Sequence, residues 1–117
     1  MVDNWPEFTK KLSTDLRALR GAAPDVMKAF GALAQTASTP GALDAKTKEL
    51  VAIGISVAAR CDDCIAFHVK AAVGHGATRE EVLETLGMAI YMGAGPSAMY
   101  ASHALDAFIQ FFAPAAK

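Results

Sequence analysis

Apolar residues recur every three or four positions along most of the chain, which is the spacing of one face of an α-helix. The first such segment, residues 5–20, follows Asp3 and Asn4, which can cap its start. A second helix is predicted to begin near Pro24, and the composition of Thr36–Gly41 predicts a loop after it. The apolar faces of these two helices comprise Phe8, Leu12, Leu16 and Leu19, then Val26, Phe30, Leu33 and Ala34.

The third predicted helix, Ala45 to about Ala59, is apolar on nearly all sides through its body, LVAIGISVAA. That body alone would also fit a buried strand. The cap at Asp44 and the run AKTKEL favour a helix, because they lead straight into it. A helix that is apolar all round is expected at the centre of a fold.

Three more helices complete the predicted fold. The fourth runs from about Cys61 to Val73. A capping box at Thr78–Glu81 begins the fifth, and Gly93–Pro96 separates it from the sixth. The side chains expected to face inward are Val82, Leu83, Leu86, Ala89 and Ile90, then Tyr100, Ala104, Phe108 and Phe111. We therefore predict an all-α fold of about six helices, in a single domain over residues 1–117.

Composition adds an expectation about assembly and location. Apolar residues make up 53% of the 117 positions and charged residues only 20%, so we expect a homo-oligomer that covers apolar surface. The net charge of −1 and the absence of a basic run indicate no nucleic-acid partner. The N-terminus does not resemble a signal peptide, and the run Leu50–Ala59 is shorter than the ~20 residues of a membrane span. We expect a cytoplasmic protein with no membrane partner, where a C-x-x-C pair is typical of catalysis or metal binding.

Both cysteines lie in the stretch RCDDCIAFH. Successive helical residues turn by about 100°, which places Cys61, Cys64 and His68 on one face. Cys64 and His68 are neighbours at a separation of four, and the two cysteines have the spacing of a redox dithiol. Free N–H groups in the first helical turn and an adjacent imidazole favour a reactive thiolate. Asp62 and Asp63 oppose it, because like charge disfavours a thiolate, and the net effect stays open.

An acid in the preceding helix extends this cluster. Glu49 lies twelve residues before Cys61, beside the apolar body of the third predicted helix. A carboxylate in such surroundings needs a partner, and a partnered carboxylate near a thiol can relay protons.

Other interpretations of the same residues remain open. Cys61, Cys64 and His68 are zinc ligands by type, although a structural zinc site usually joins two separate segments. The two thiols would also fit as inert core residues. Among the remaining histidines, His103 is expected to be a hydrogen-bonded structural residue and His75 a loop residue.

The stretch KTKELVAIGISVAARCDDCIAFHVKAAVGHGATREEVLE resembles the core of the AhpD-like alkylhydroperoxidase branch of the carboxymuconolactone decarboxylase family. The shared pattern is a glutamate followed twelve residues later by C-x-x-C-x-x-x-H, here Glu49, Cys61, Cys64 and His68. The segment MGAGPSAMYASHALDAF resembles the last helices of short members, so the likeness covers roughly residues 28–112.

The resemblance implies an all-helical subunit that assembles into trimers or hexamers, and a peroxidase with no flavin, haem or metal cofactor. Cys64 would be the thiol that attacks a hydroperoxide and Cys61 the resolving thiol, with His68 and Glu49 relaying protons. The oxidised pair would be reduced by a dithiol donor, in some members a lipoyl group on a partner protein. The position in the helix instead favours Cys61 as the more acidic thiol.

One departure from the family pattern stands between the cysteines. The alkylhydroperoxidase proper has a histidine just before the second cysteine, where this chain has Asp63. One relay member is therefore absent. Two other functions remain in view: a non-enzymatic redox-sensing or zinc-binding oligomer, and a lyase of the carboxymuconolactone decarboxylase type, although that branch lacks the dithiol.

Overall fold

The computed structural model describes the backbone of residues 1–115 and the side chains of residues 1–113. Within residues 1–115 the structure contains helices and no strand, so the predicted all-α class is confirmed. The helices are α1 (Trp5–Ala22), α2 (Pro24–Ser38), α3 (Ala45–Ala58), α4 (Asp62–Gly74) and α5 (Arg79–Ala115).

The predicted fifth and sixth helices are the two halves of α5, joined by a kink. At the kink Ala94 leaves helical geometry, with φ 56° and ψ −139°. A Cβ added at the neighbouring Gly93 would collide with the buried Ser97 hydroxyl, so glycine is needed where the two halves meet. The break expected at Gly93–Pro96 therefore changes the direction of one helix and does not open a loop.

Helices α3, α4 and α5 pack together and form the core. Two of the residues predicted to face inward, Leu83 and Ile90, are exposed instead, because only one stripe of α5 contacts α3 and α4. Helix α3 is likewise buried on one side only, which corrects the expectation that it is enclosed all round. The largest fully buried side chains are Trp5, Ile53, Val57, Ile65, Val69, Val82 and Phe108.

The start of α1 is fixed to the end of α5 through Trp5, which sequence patterns did not single out. Its indole Nε1–H donates to Asp106 Oδ2 at 3.0 Å, and its backbone N–H donates to Gln110 Oε1 at 2.7 Å. The ring is buried and meets Phe8 edge to face. These contacts hold the start of α1 against the second half of α5.

Helix α2 packs mainly on α1 and has no buried residue. It extends to Ser38, so the first part of the predicted loop at Thr36–Gly41 is helical. The Lys48 ammonium holds its end, donating to the backbone oxygens of Ala37 at 2.9 Å and Thr39 at 2.6 Å. The large exposed apolar side chains of α2, α3 and the first half of α5 are Val26, Phe30, Leu33, Val51, Ile55, Leu83, Met88, Ile90, Tyr91 and Met92.

Predicted caps set the helix starts that position the site. Asp44 Oδ1 accepts from the Thr47 N–H at 2.8 Å. Hydrogen bonding by the Thr47 side chain, and secondly by its backbone N–H, lowers the pKa of the Asp44 carboxyl. Thr78 and Glu81 form the predicted reciprocal capping box, with bonds of 2.8 and 3.1 Å. Glu81 also pairs with Lys46 at 2.8 Å, joining the start of α3 to the start of α5. No helix among the described residues is long and apolar enough to cross a membrane.

Candidate active site

The turn between α3 and α4 delivers the cysteines to the site. Arg60 adopts the left-handed conformation, with φ 58°, and its N–H donates to the Val57 oxygen at 3.1 Å. The Cys61 N–H donates to the Ser56 oxygen at 3.0 Å. These two bonds form a Schellman motif, which ends α3 and fixes Cys61 relative to it.

Cys61 is both the last residue of that turn and the N-cap of α4. Its sulfur accepts from the Cys64 backbone N–H at 3.2 Å, as a serine or aspartate cap would. The predicted dithiol is present as a Cys61–Cys64 disulfide, with Cα atoms 5.3 Å apart. Both residues are half-buried. When the pair is reduced, the N–H groups and the helix dipole at this end favour a thiolate on Cys61.

Glu49 and His68 meet across the α3–α4 interface. The imidazole Nδ1 lies 2.7 Å from Glu49 Oε2. Since an ionised carboxylate can only accept, Nδ1–H donates to it, and Nε2 is left for a second partner. The Glu49 side chain is only 15% exposed, whereas that of His68 is 41% exposed. His68 follows Cys64 by one helical turn, so the imidazole and the Cys64 sulfur share one face of α4.

A pocket of about 390 Å³ opens beside this pair. Its walls come from the end of α2, the loop after it and the outer side of α3, with Leu43, Val51 and Ile55 supplying apolar surface. Glu49 and His68 are also among the lining residues. His68 therefore borders a mostly apolar cavity, which is the environment of many small-molecule sites.

A second carboxylate–imidazole pair lies between α4 and α5. His103 Nδ1 is 2.8 Å from Asp62 Oδ1, and the His103 ring packs on Tyr100 with centroids 4.9 Å apart. His103 is hydrogen-bonded, as expected from the sequence, but its partner is a residue of the C-x-x-C segment. No local signal predicts a pairing across 41 positions.

The remaining candidates lie apart from these contacts. His75 is exposed beyond the end of α4, and Asp63 is exposed beside Cys64. Among the described residues, no group of three or more His, Cys, Asp or Glu side chains converges in the manner of metal ligands. Glu49 and His68 are thus brought together at 2.7 Å, and the disulfide is one helical turn away.

The chain matches the carboxymuconolactone decarboxylase family over residues 24–107, which include both cysteines, Glu49, His68 and His103. It belongs to that family. The disulfide and the Glu49–His68 pair both lie inside the matched region. Members of the family are enzymes of the decarboxylase or peroxidase-like type.

Relatives of this carboxymuconolactone decarboxylase family protein agree in sequence and fold. A Legionella pneumophila member of the family, solved in its apo form, is 52% identical with a TM-score of 0.90, over 92% of this chain and 96% of its own. A Thermotoga maritima member is 30% identical with a TM-score of 0.80, over 87% of each chain, and is described as a candidate for a role in the antioxidative response. An uncharacterized Cupriavidus necator protein is 44% identical over 98 residues, covering 84% of this chain and 87% of its own.

Proposed function

We propose that this protein is a thiol-dependent hydroperoxidase with an antioxidant role, in which the Cys61–Cys64 dithiol reacts and Glu49 and His68 move protons. The observation that carries the proposal is the 2.7 Å contact between Glu49 and His68, one helical turn from a disulfide. A carboxylate that orients an imidazole beside a thiol is the usual arrangement for activating a nucleophile. The antioxidative description of the Thermotoga maritima relative points to the same class of chemistry.

The oxidative half of the proposed cycle consumes the hydroperoxide. His68 Nε2 accepts the Cys64 proton, and the thiolate attacks the outer oxygen of the hydroperoxide, whose O–O bond breaks. The imidazolium returns the proton to the leaving alkoxide, which departs as an alcohol and leaves Cys64 as a sulfenic acid. Cys61 then gives up its proton and its thiolate attacks the Cys64 sulfur, so that the S–O bond breaks, the hydroxide leaves with that proton as water, and the disulfide forms.

The reductive half needs a dithiol donor. Attack by one donor thiolate on the disulfide gives a mixed disulfide, and the second donor thiol releases the reduced protein and an oxidised donor. Two electrons and two protons pass to the Cys61–Cys64 pair in this step. We propose a lipoyl group on a partner protein, or another dithiol protein, as the donor class.

The uncovered apolar surface supports a homo-oligomer, and we propose a trimer or hexamer. Val51, Ile55, Met88 and Met92 line an exposed apolar groove of about 520 Å³ between α3 and α5. Val51 and Ile55 also line the pocket beside His68, so a subunit seated on this groove would border the site. Light scattering at micromolar concentration tests this: a mass of three or six chains agrees, and a monomer contradicts it.

The activity is tested by supplying an organic hydroperoxide with dihydrolipoamide and following loss of peroxide. We expect turnover that depends on both cysteines, with His75→Gln as a matched histidine change outside the site. Turnover by Cys64→Ser at the parent rate would overturn the mechanism. A protein that cycles its disulfide with no peroxide turnover would instead be a redox sensor.

The family's name supports a second candidate, a lyase acting on an acidic lactone. Such an activity would use Glu49 and His68 without the sulfurs. It therefore predicts turnover of a lactone carboxylate that survives replacement of both cysteines by serine. Loss of that turnover on replacing the cysteines would exclude it.

A further inference from the structure

Asp62 poses an electrostatic problem for a reactive dithiol. It directly follows Cys61 and occupies the first position of α4. An acidic residue there stabilises the helix start, because it complements the positive end of the dipole. The same charge disfavours a thiolate on the neighbouring sulfur. The two effects conflict, and the sequence alone does not show which is stronger.

The structure contains a partner for that charge. His103 Nδ1 lies 2.8 Å from Asp62 Oδ1, with the His103 side chain 17% exposed and the Asp62 side chain 27% exposed. The ring is held against Tyr100, so its orientation is fixed by packing as well as by the hydrogen bond. An ionised carboxylate only accepts, so Nδ1–H points at it in either charge state of the ring.

We propose that His103 is a positioning residue for the dithiol: it draws the Asp62 carboxylate away from Cys61 and offsets its charge, which keeps the Cys61 thiolate accessible. Asp62 can then stabilise the start of α4 with a reduced effect on the sulfur. The inference rests on the proposed use of the dithiol as a nucleophile. It assigns a role to a residue 39 positions beyond Cys64, which the C-x-x-C-x-x-x-H pattern does not include.

The proposal makes a prediction that a purely structural hydrogen bond does not. Breaking a structural contact from either side has the same effect, because both changes loosen the same turn. An electrostatic role gives opposite effects. Asp62→Asn removes the opposing charge and makes Cys61 more reactive, whereas His103→Leu leaves that charge uncompensated and makes Cys61 less reactive.

The measurement is the alkylation rate of Cys61 by iodoacetamide in the full chain carrying Cys64→Ser, at one fixed pH in the range where the parent rate still rises with pH and Cys61 is therefore mostly protonated. No peroxide is involved, so the result is independent of whether the protein is a peroxidase. The Asp62 charge acts on the neighbouring sulfur through an intermediate dielectric, and nucleophilicity falls as thiolate stability rises, so we expect a change of about threefold in each direction.

Three further variants complete the test. His103→Asn keeps an N–H donor near the Nδ1 position, so its rate should lie close to that of the parent. Asp62→Asn combined with His103→Leu should react like Asp62→Asn alone, since no charge remains to offset. His75→Leu, the same change at an exposed histidine, should have no effect. If Asp62→Asn does not fold, Asp62→Ser is measured in its place.

A faster rate for Asp62→Asn and a slower rate for His103→Leu, with the His103→Asn rate near the parent rate, establish the proposal. The reverse order of rates would overturn it, and so would shifts of the same sign, which would leave the pair as a structural contact. Unchanged rates in both single variants would overturn it equally.

Discussion

The site contains two carboxylate–imidazole pairs that are alike in chemistry and different in surroundings. Glu49–His68 joins α3 to α4 at 2.7 Å, and Asp62–His103 joins α4 to α5 at 2.8 Å, both through Nδ1. The His68 side chain is 41% exposed and lines a pocket. The His103 side chain is 17% exposed and packs on Tyr100.

The comparison shows that the hydrogen bond does not by itself define the role of the histidine. In the first pair the carboxylate is the more enclosed partner, which leaves the imidazole edge open for proton transfer. In the second pair the imidazole is the more enclosed partner. This difference agrees with the proposed proton transfer by the first pair and the proposed charge compensation by the second.

The largest expected effect removes the thiol on which the Glu49–His68 pair is proposed to act. Cys64→Ser should lower peroxide turnover by at least about 10³-fold, because no sulfenic acid forms at that position. Adding His68→Asn to this variant should lower the residual rate no further, since a relay without its thiol has nothing to deprotonate. A further large loss of turnover in the double variant would show that His68 acts independently of Cys64.

The next effect distinguishes the two pairs by activity. Glu49→Gln and His68→Asn should each slow turnover by about 10²-fold, because each interrupts proton transfer. His103→Leu should slow turnover only a few-fold, because it acts through charge alone. Steady-state kcat and KM on the same hydroperoxide measure all three, and a loss for His103→Leu as large as that for His68→Asn would break the distinction.

Stability should separate the two pairs less than activity does. His103→Leu removes a contact at a mostly enclosed position and leaves Asp62 without its donor, at a cost of about 1–2 kcal/mol. His68→Leu changes a more exposed ring, but it leaves the Glu49 carboxylate, only 15% exposed, without its donor and should cost about the same. Urea denaturation of the oxidised protein gives both values. A cost below about 0.5 kcal/mol for either variant would show that its hydrogen bond contributes little to folding.

The smallest effect concerns a pair remote from the sulfurs, Lys46–Glu81, which serves as a baseline. Lys46 lowers the pKa of the Glu81 carboxyl, and Glu81 raises the pKa of the Lys46 ammonium. The Glu81 contribution is therefore present above the ordinary glutamate pKa and is lost as pH falls through the lowered folded value. The Lys46 contribution is complete below the ordinary lysine pKa and is lost as pH rises through the raised value.

Glu81→Gln should accordingly lower the melting temperature slightly at neutral pH and not at all below the folded-state pKa of Glu81. Peroxide turnover should not change. A thermal melt series from acidic to neutral pH checks the first statement, and an equal loss at every pH would contradict it.

Local sequence signals predict the helices and their starts, but they do not predict which distant residues contact each other. Helix starts at Asp44 and Thr78 follow from capping chemistry, which acts within one turn. The face shared by Cys61, Cys64 and His68 follows from helical geometry. The sequence predicts Glu49 and His68 only as members of a proton relay, and in the structure the two side chains are in direct contact.

The rest depends on packing between distant segments. The pairing of Asp62 with His103 and that of Trp5 with Asp106 join residues 41 and 101 positions apart, which no periodicity encodes. The exposure of Leu83 and Ile90 depends on how wide a stripe of α5 its neighbours cover. Apolar periodicity gives the direction of a face, and only the assembled helices decide its width.

The most direct test of the central claim is trapping the sulfenic acid. Cys61→Ser removes the resolving thiol, so one equivalent of organic hydroperoxide should leave an oxidised Cys64 that a dimedone probe labels, located by mass spectrometry. We predict labelling at Cys64 that is about 10²-fold slower when His68→Asn is added. Labelling at the same rate in both variants, or peroxide consumption without any label on Cys64, would contradict the proposed mechanism.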